Sequence, residues 1–247
     1  MVIVDDGIRL HAELAWPDHR DGEVPLFILL HGFTGHMDEP HLTALMEAVR
    51  GIGFAVLRAE LYGHGQSDGE FRDHNLFKWL NNTMAVIDYA RGLPGISDIY
   101  LSGHSQGGLT VILAAAMKAD VIAGLIPLSP AVMIPEAARH GELLGVRFDP
   151  GHVPDELVLD EETVLGGNYI RVAQTIWPEQ IAPRYQGPVL IVHGEADETV
   201  PIQVAVDAAA LYRHAELVRI PGDTHCFDFH ADEMTAAVTE WLKKQRN

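Results

Sequence analysis

The sequence predicts an α/β domain: a mostly parallel central sheet flanked by helices, with one segment inserted into it. Three observations lead there. Short continuous apolar runs alternate with segments of helical periodicity, as expected of parallel strands buried on both faces. The alternation follows an antiparallel start and breaks only over residues 129–187. The length, 247 residues, suits one large domain of this class, and a composition of 47% hydrophobic and 21% charged residues can build an ordinary globular core.

Residues 2–4 and 8–15 flank Asp6-Gly7, a pair that favours a tight hairpin because glycine accepts positive φ. Strand and helix patterns then alternate: strand 26–30, helix 41–50, strand 55–58, helix 76–91, strand 99–102, helix 109–119 and strand 122–128. Residues 129–187 are punctuated by Pro130, Pro135, Pro150, Pro154, Gly166-Gly167, Pro178 and Pro183, with a helical pattern only at 168–176. A connection of this length is usually functional or carries structure of its own, so it is read as a cap over the sheet. Strand 189–193, helix 202–212, strand 216–220 and helix 232–244 complete the core. Residues 1–128 and 188–247 thus form one body.

Gly103-His104-Ser105-Gln106-Gly107 matches G-x-S-x-G between a strand and a helix. With 23 Gly and 5 Ser in 247 residues, chance supplies about 0.04 such matches, so a mere glycine-rich turn is the weaker reading. The chemistry explains the spacing. A serine on a sharp strand-to-helix turn is held out over the sheet, and side chains at the flanking positions would strike neighbouring backbone. The α/β-hydrolase fold is therefore expected, with Ser105 as nucleophile. The Gln106 N–H, at the positive end of the following helix, is one candidate oxyanion donor. The second comes from the loop after the first parallel strand, His31-Gly32-Phe33-Thr34-Gly35, where the Phe33 N–H is the candidate. His31 itself is read as a structural hydrogen-bonding residue.

A serine hydroxyl needs a neighbouring base, and that base needs an acceptor to fix its tautomer. In this fold the chain order is Ser, then Asp or Glu, then His. Of the 14 histidines, His225 in Pro221-Gly-Asp-Thr-His-Cys226 follows the final strand closely. The loop after strand 189–193 reads Gly194-Glu-Ala-Asp-Glu-Thr-Val-Pro201. Asp197 is favoured over Glu195 because the later residue reaches toward the final loop. Asp223 is read as a turn former. The glycine-rich stretch Tyr62–Gly69 lacks the Lys and Ser/Thr of a phosphate loop and is read as a buttress of the site. His36, His41, His64 and His74 show no metal spacing, and no metal or other cofactor is expected.

The formal charge of −18 repels polyanions, so neither nucleic acid nor an anionic membrane is an expected partner. A small neutral ester fits better. One cysteine, Cys226, allows no internal disulfide. The start lacks a basic, apolar leader, so the chain is read as cytoplasmic, although a removed signal peptide would leave no trace. Oligomeric state stays open, a homodimer included.

Taken together, the chain resembles the bacterial feruloyl (cinnamoyl) esterases of the α/β-hydrolase superfamily. The distinctive pieces are His31-Gly-Phe-Thr-Gly-His36, Tyr62-Gly-His-Gly-Gln-Ser-Asp-Gly69, Leu76-Phe-Lys-Trp-Leu80, Gly103-His-Ser-Gln-Gly-Gly108, Gly167-Asn-Tyr-Ile-Arg-Val-Ala-Gln174 and Pro221-Gly-Asp-Thr-His-Cys226. The resemblance implies hydrolysis of hydroxycinnamate esters of plant-wall sugars through a Ser105, Asp197, His225 triad, with Phe33 and Gln106 at the oxyanion positions. It also sets Tyr169 where similar enzymes place a polar contact to the aryl hydroxyl; the alternative is that Tyr169 only packs the cap helix. Around Ala137 and Leu144 the cap offers no side-chain hydrogen bonds where some relatives have polar residues. Rival readings are another serine hydrolase on this scaffold (monoacylglycerol lipase-like, short-chain carboxylesterase or thioesterase) and a non-catalytic ligand-binding relative. Relatives with an aspartate nucleophile are disfavoured by Ser105.

Overall fold

The computed structural model describes residues 1–161 and 163–246. The chain opens with a hairpin of β1 (Val2–Asp5) and β2 (Ile8–Ala15), whose turn residues Asp6 and Gly7 have φ of 44° and 87°. Two positive φ values give the turn a twist that matches its strands. There follow β3 (Val24–Leu30), α1 (Pro40–Gly51), β4 (Ala55–Ala59), α2 (Leu76–Arg91), β5 (Ile96–His104), α3 (Gln106–Met117) and β6 (Ile122–Leu128). The insertion carries α4 (Ile134–Arg139), β7 (Glu142–Leu143), β8 (Val146–Arg147), β9 (Glu156–Val158), β10 (Val164–Gly166), α5 (Gly167–Ala173) and α6 (Pro178–Ile181). The core resumes with β11 (Val189–Gly194), α7 (Ile202–Ala209), β12 (Ala215–Ile220) and α8 (Ala231–Gln245).

The eight-stranded sheet runs β1-β2-β4-β3-β5-β6-β11-β12. β2 pairs antiparallel with β1 and β4, and every pairing from β4 to β12 is parallel. β3 shows how the sheet is buried. Leu26, Ile28 and Leu30 join one core with Val86 and Ile87 of α2, Val111 and Ile112 of α3 and Ala205 of α7. Phe27 and Leu29 point the other way, into a core with Leu42 and Leu45 of α1 and Val238 and Leu242 of α8. A strand covered on both faces has no polar side to alternate with, hence its continuous apolar run.

Several elements depart from their expected bounds: β5 spans Ile96–His104 and α7 stops at Ala209. α3 begins at Gln106 and not at residue 109, with Gly107 and Gly108 inside its first turn, where a Cβ on either would meet neighbouring backbone. The insertion holds two short antiparallel hairpins, β7-β8 and β9-β10, beside the expected helix. Leu143, Leu157, Leu165, Tyr169 and Ile170 of the insertion pack with Leu76 of α2 and Leu109 and Leu113 of α3 in a third apolar cluster. Among the described residues, no helix is long and apolar enough to cross a membrane.

Candidate active site

Ser105 sits between β5 and α3 with φ 56° and ψ −117°, a conformation an L-residue holds only when its surroundings over-determine it. The surroundings are steric. A Cβ at Gly103 would lie 2.6 Å from the Gly107 carbonyl, one at Gly107 2.3 Å from the His31 carbonyl oxygen, and one at Gly108 2.9 Å from Pro130 Cα. Glycine at these positions lets the turn close against β3 and the start of the insertion. Gln106 is the first residue of α3, so its N–H has no carbonyl one turn earlier in the helix and belongs to the helix's positive end. Gly32 and Phe33 come alongside: a Cβ on Gly32 would be 3.1 Å from Ser105 Cβ.

The loops after β11 and β12 carry the other two groups. His225 Nδ1 donates to Asp197 Oδ2 at 2.7 Å. The second carboxylate oxygen of Asp197, Oδ1, accepts the Thr199 and Val200 amides at 2.9 and 2.8 Å. His193 Nε2 lies 2.8 Å from the Val200 carbonyl oxygen and 3.1 Å from Asp197 Oδ2, so that nitrogen carries the hydrogen. Burial alone would raise the Asp197 carboxyl, but the His193 and His225 donors and the Val200 amide hold it below the usual carboxylate range. Glu195 is exposed. The two loops meet at Gly194, where a Cβ would lie 2.4 Å from the Asp223 carbonyl oxygen. Asp223 shapes the second loop by accepting the Thr224, Phe229 and His230 amides at 2.9, 3.1 and 3.1 Å. His104 Nε2 donates to the His225 carbonyl at 2.9 Å and ties that loop to the Ser105 turn.

Behind the Phe33 loop lies a layer of buried neutral imidazoles. His31 Nε2 accepts the Leu61 N–H at 3.0 Å while Nδ1 donates to the Gly32 carbonyl at 2.8 Å. That pattern uses the lone pair and needs a neutral ring, and burial brings the His31 pKa down to about 3. The His31 ring lies 5.1 Å from His64 and 5.0 Å from Trp79. The 62–69 loop is held by Glu60, whose Oε2 accepts the Gln66 amide at 2.6 Å and whose carbonyl accepts from Ser67 Oγ at 2.7 Å. Through the His64 ring it packs against His31, the residue before Gly32 and Phe33.

Ser105, His225, His104, Gly32 and Phe33 line a cavity of about 360 Å³ together with Thr34, Gly35, Glu39, Thr199 and Cys226 from the core. Leu144, Leu159, Asp160 and Thr163 of the insertion complete it. Leu144 is thus a wall residue, whereas Ala137 lies in α4, away from it. Tyr169 is not among the residues that line this cavity. It is 1% exposed, and its hydroxyl donates to Gln106 Oε1 at 2.6 Å, so its hydrogen is committed to the residue after the nucleophile. The wall residues Leu159, Asp160 and Thr163, and the links made by His104 and His193, were not singled out from the sequence. Only for the last two was there a local signal, a histidine next to the serine and one ending β11.

The family model described as serine aminopeptidase, S33 matches residues 24–155. Est1E from Butyrivibrio proteoclasticus, in a structure titled as bound to ferulic acid, is 55% identical, with a TM-score of 0.97 over 99% of this chain and 98% of that one. The human protein ABHD12B is 26% identical over 239 residues, and the human mitochondrial palmitoyl-protein thioesterase ABHD10 25% identical over 197; these cover 92% and 76% of this chain. The matched region spans 62% of the length of each of these two human proteins. With a strained serine turn between β5 and α3, a family match over more than half its length and a full-length relative at 55% identity, the chain belongs to the α/β-hydrolase family.

Proposed function

We propose that the protein is a serine esterase that hydrolyses hydroxycinnamate esters, feruloyl and p-coumaroyl, of plant-wall sugars. The observation that carries the chemistry is a strained serine sharing one cavity with an imidazole whose far nitrogen is held by a buried carboxylate. Ser105 Oγ attacks the ester carbonyl, and His225 Nε2 takes its proton and delivers it to the departing sugar alkoxide. Asp197 holds the Nδ1–H tautomer and offsets the imidazolium charge. The Phe33 and Gln106 amides receive the developing oxyanion. Water then attacks the acyl-enzyme by the same path in reverse. No cofactor takes part in these steps.

The acyl class is supported by the relative with bound ferulic acid and by the size of the site. A volume of about 360 Å³ is at the small end of the roughly 300–1,000 Å³ typical of small-molecule sites, which favours a compact planar acyl group over a long fatty chain. Residues 129–187 act as the cap that encloses it, through Leu144, Leu159 and Thr163. The test is kcat/KM on methyl ferulate, methyl p-coumarate, a short p-nitrophenyl ester and a monoacylglycerol. Preference for the two hydroxycinnamates is expected. A preference for the monoacylglycerol would overturn the acyl assignment, and failure to label with a fluorophosphonate probe would overturn the serine mechanism.

A further inference from the structure

The rim of the cavity holds a group of side chains that ester hydrolysis leaves unused. Glu39 precedes α1, His41 lies in its first turn, and Cys226 follows His225 on the loop after β12. A carboxylate oxygen of Glu39, a ring nitrogen of His41 and Cys226 Sγ all lie within 4.8 Å of one another. His41 is 3% exposed, and neither its Nε2 nor Glu39 Oε2 has a hydrogen-bond partner. Leaving such groups buried and unpaired is costly, so a cluster that holds two of them beside a thiol asks for a ligand. Gly35 runs beside the carboxylate: a Cβ there would lie 2.5 Å from Glu39 Oε2, the movable end of that side chain.

We propose that Glu39, His41 and Cys226 form an inhibitory Zn²⁺ site on the wall of the candidate active-site cavity. The donor set of one carboxylate oxygen, one imidazole nitrogen and one sulfur is of the mixed type that zinc accepts in tetrahedral coordination, with water in the fourth position. Zinc–ligand bonds of about 2.0–2.3 Å place donors roughly 3.3–3.8 Å apart. Side-chain torsions of Glu39 and Cys226 can close the remaining gap. Burial keeps the His41 ring neutral, so its lone pair is available, and keeps the Cys226 thiol protonated in the free protein. Binding therefore breaks the Cys226 S–H bond, forms Zn–S, and releases one proton to solvent for each ion taken up. Glu39 and Cys226 share their cavity with Ser105 and His225. A dication there opposes the imidazolium that acyl transfer must form and obstructs the path of the departing alcohol. Inhibition rests on the esterase reading above, whereas binding does not.

The experiment uses the full chain freed of metal by chelator and titrated calorimetrically with Zn²⁺, in buffers of different ionisation enthalpy, with Co²⁺ as an optical probe. One ion of micromolar or tighter affinity, about one proton released near pH 7, and a thiolate-to-cobalt charge-transfer band are expected. Cys226→Ser and Glu39→Gln should each weaken binding about tenfold or more, and Cys226→Ser should abolish the band; thermal melts of both variants report whether they fold. Turnover of methyl ferulate should fall with site occupancy and recover on adding chelator, each variant compared with its own zinc-free rate. Absence of binding below about 1 mM, equal affinity in wild type and both variants, or cobalt binding without the thiolate band would each overturn the site. Binding as expected with turnover untouched would overturn its inhibitory role. A chain with no esterase activity even without zinc would instead overturn the functional reading and leave the titration to judge the site.

Discussion

Ser105 is 8% exposed and occupies a turn whose shape depends on the neighbouring glycines and not on its own hydroxyl. Ser105→Ala should therefore abolish ester turnover while leaving the melting temperature nearly unchanged; a purified mutant with more than a few per cent of activity would remove it as nucleophile. Asp197→Asn should lower kcat on the order of 10⁴-fold, the size of effect known for the equivalent change in a serine protease. Glu195→Gln serves as the control, since Glu195 is exposed and its loss should leave the rate unaltered. Because its donors hold the Asp197 carboxyl below the usual range, it stays ionised through mildly acid pH. A histidine base must be neutral to accept the serine proton, so kcat/KM should fall on acidification without any change in the charge of Asp197. A rate flat down to pH 4 would contradict a histidine base.

At the scale of the element, the elbow and the insertion are coupled through Gln106 and Tyr169. Tyr169→Phe removes the donor to Gln106 Oε1 in a side chain whose Nε2 already has no partner. The expected cost is about 1–3 kcal/mol of stability, with kcat/KM lowered equally for methyl ferulate and unsubstituted methyl cinnamate. A loss confined to the hydroxylated ester would return Tyr169 to direct substrate contact. Gly107→Ala drives a Cβ to within 2.3 Å of the His31 carbonyl oxygen. It should destabilise by about 1–3 kcal/mol or more through forced backbone movement, read as a lower melting temperature together with slower turnover. The sequence marked that glycine as part of the elbow through a local motif. It could not mark β7 and β8 as strands, because two-residue strands are too short to show alternation among the prolines and glycines around them.

For the whole molecule, acid stability should follow from the buried histidines. Burial lowers His31 and His74 from the usual 6.5 to about 3 each. Their folded-state values lie below the unfolded one, so between pH 6.5 and about 3 the unfolded chain binds protons that the folded chain does not. Stability is thus unaffected above pH 6.5 and declines as pH falls through this window, by up to about 2 kcal/mol per histidine at pH 5. Melting temperatures measured from pH 7.5 to 5 should fall, and replacing His74 by an uncharged residue should flatten the slope; an unchanged slope would remove His74 from this role. The elements of the sheet, the elbow and the order Ser105, Asp197, His225 could be read from the chain, because strand burial, helical period and turn sterics are imposed over a few neighbouring residues. Tertiary structure alone set the contacts that hold Asp197 in place, since they depend on Gly194 admitting the Asp223 backbone and on His193 and His225 converging on Asp197. It alone also turned Tyr169 toward Gln106 and brought Glu39 and His41 beside Cys226. Those contacts join residues far apart in the chain, and no local pattern encodes a distance that only the packed sheet and its loops set.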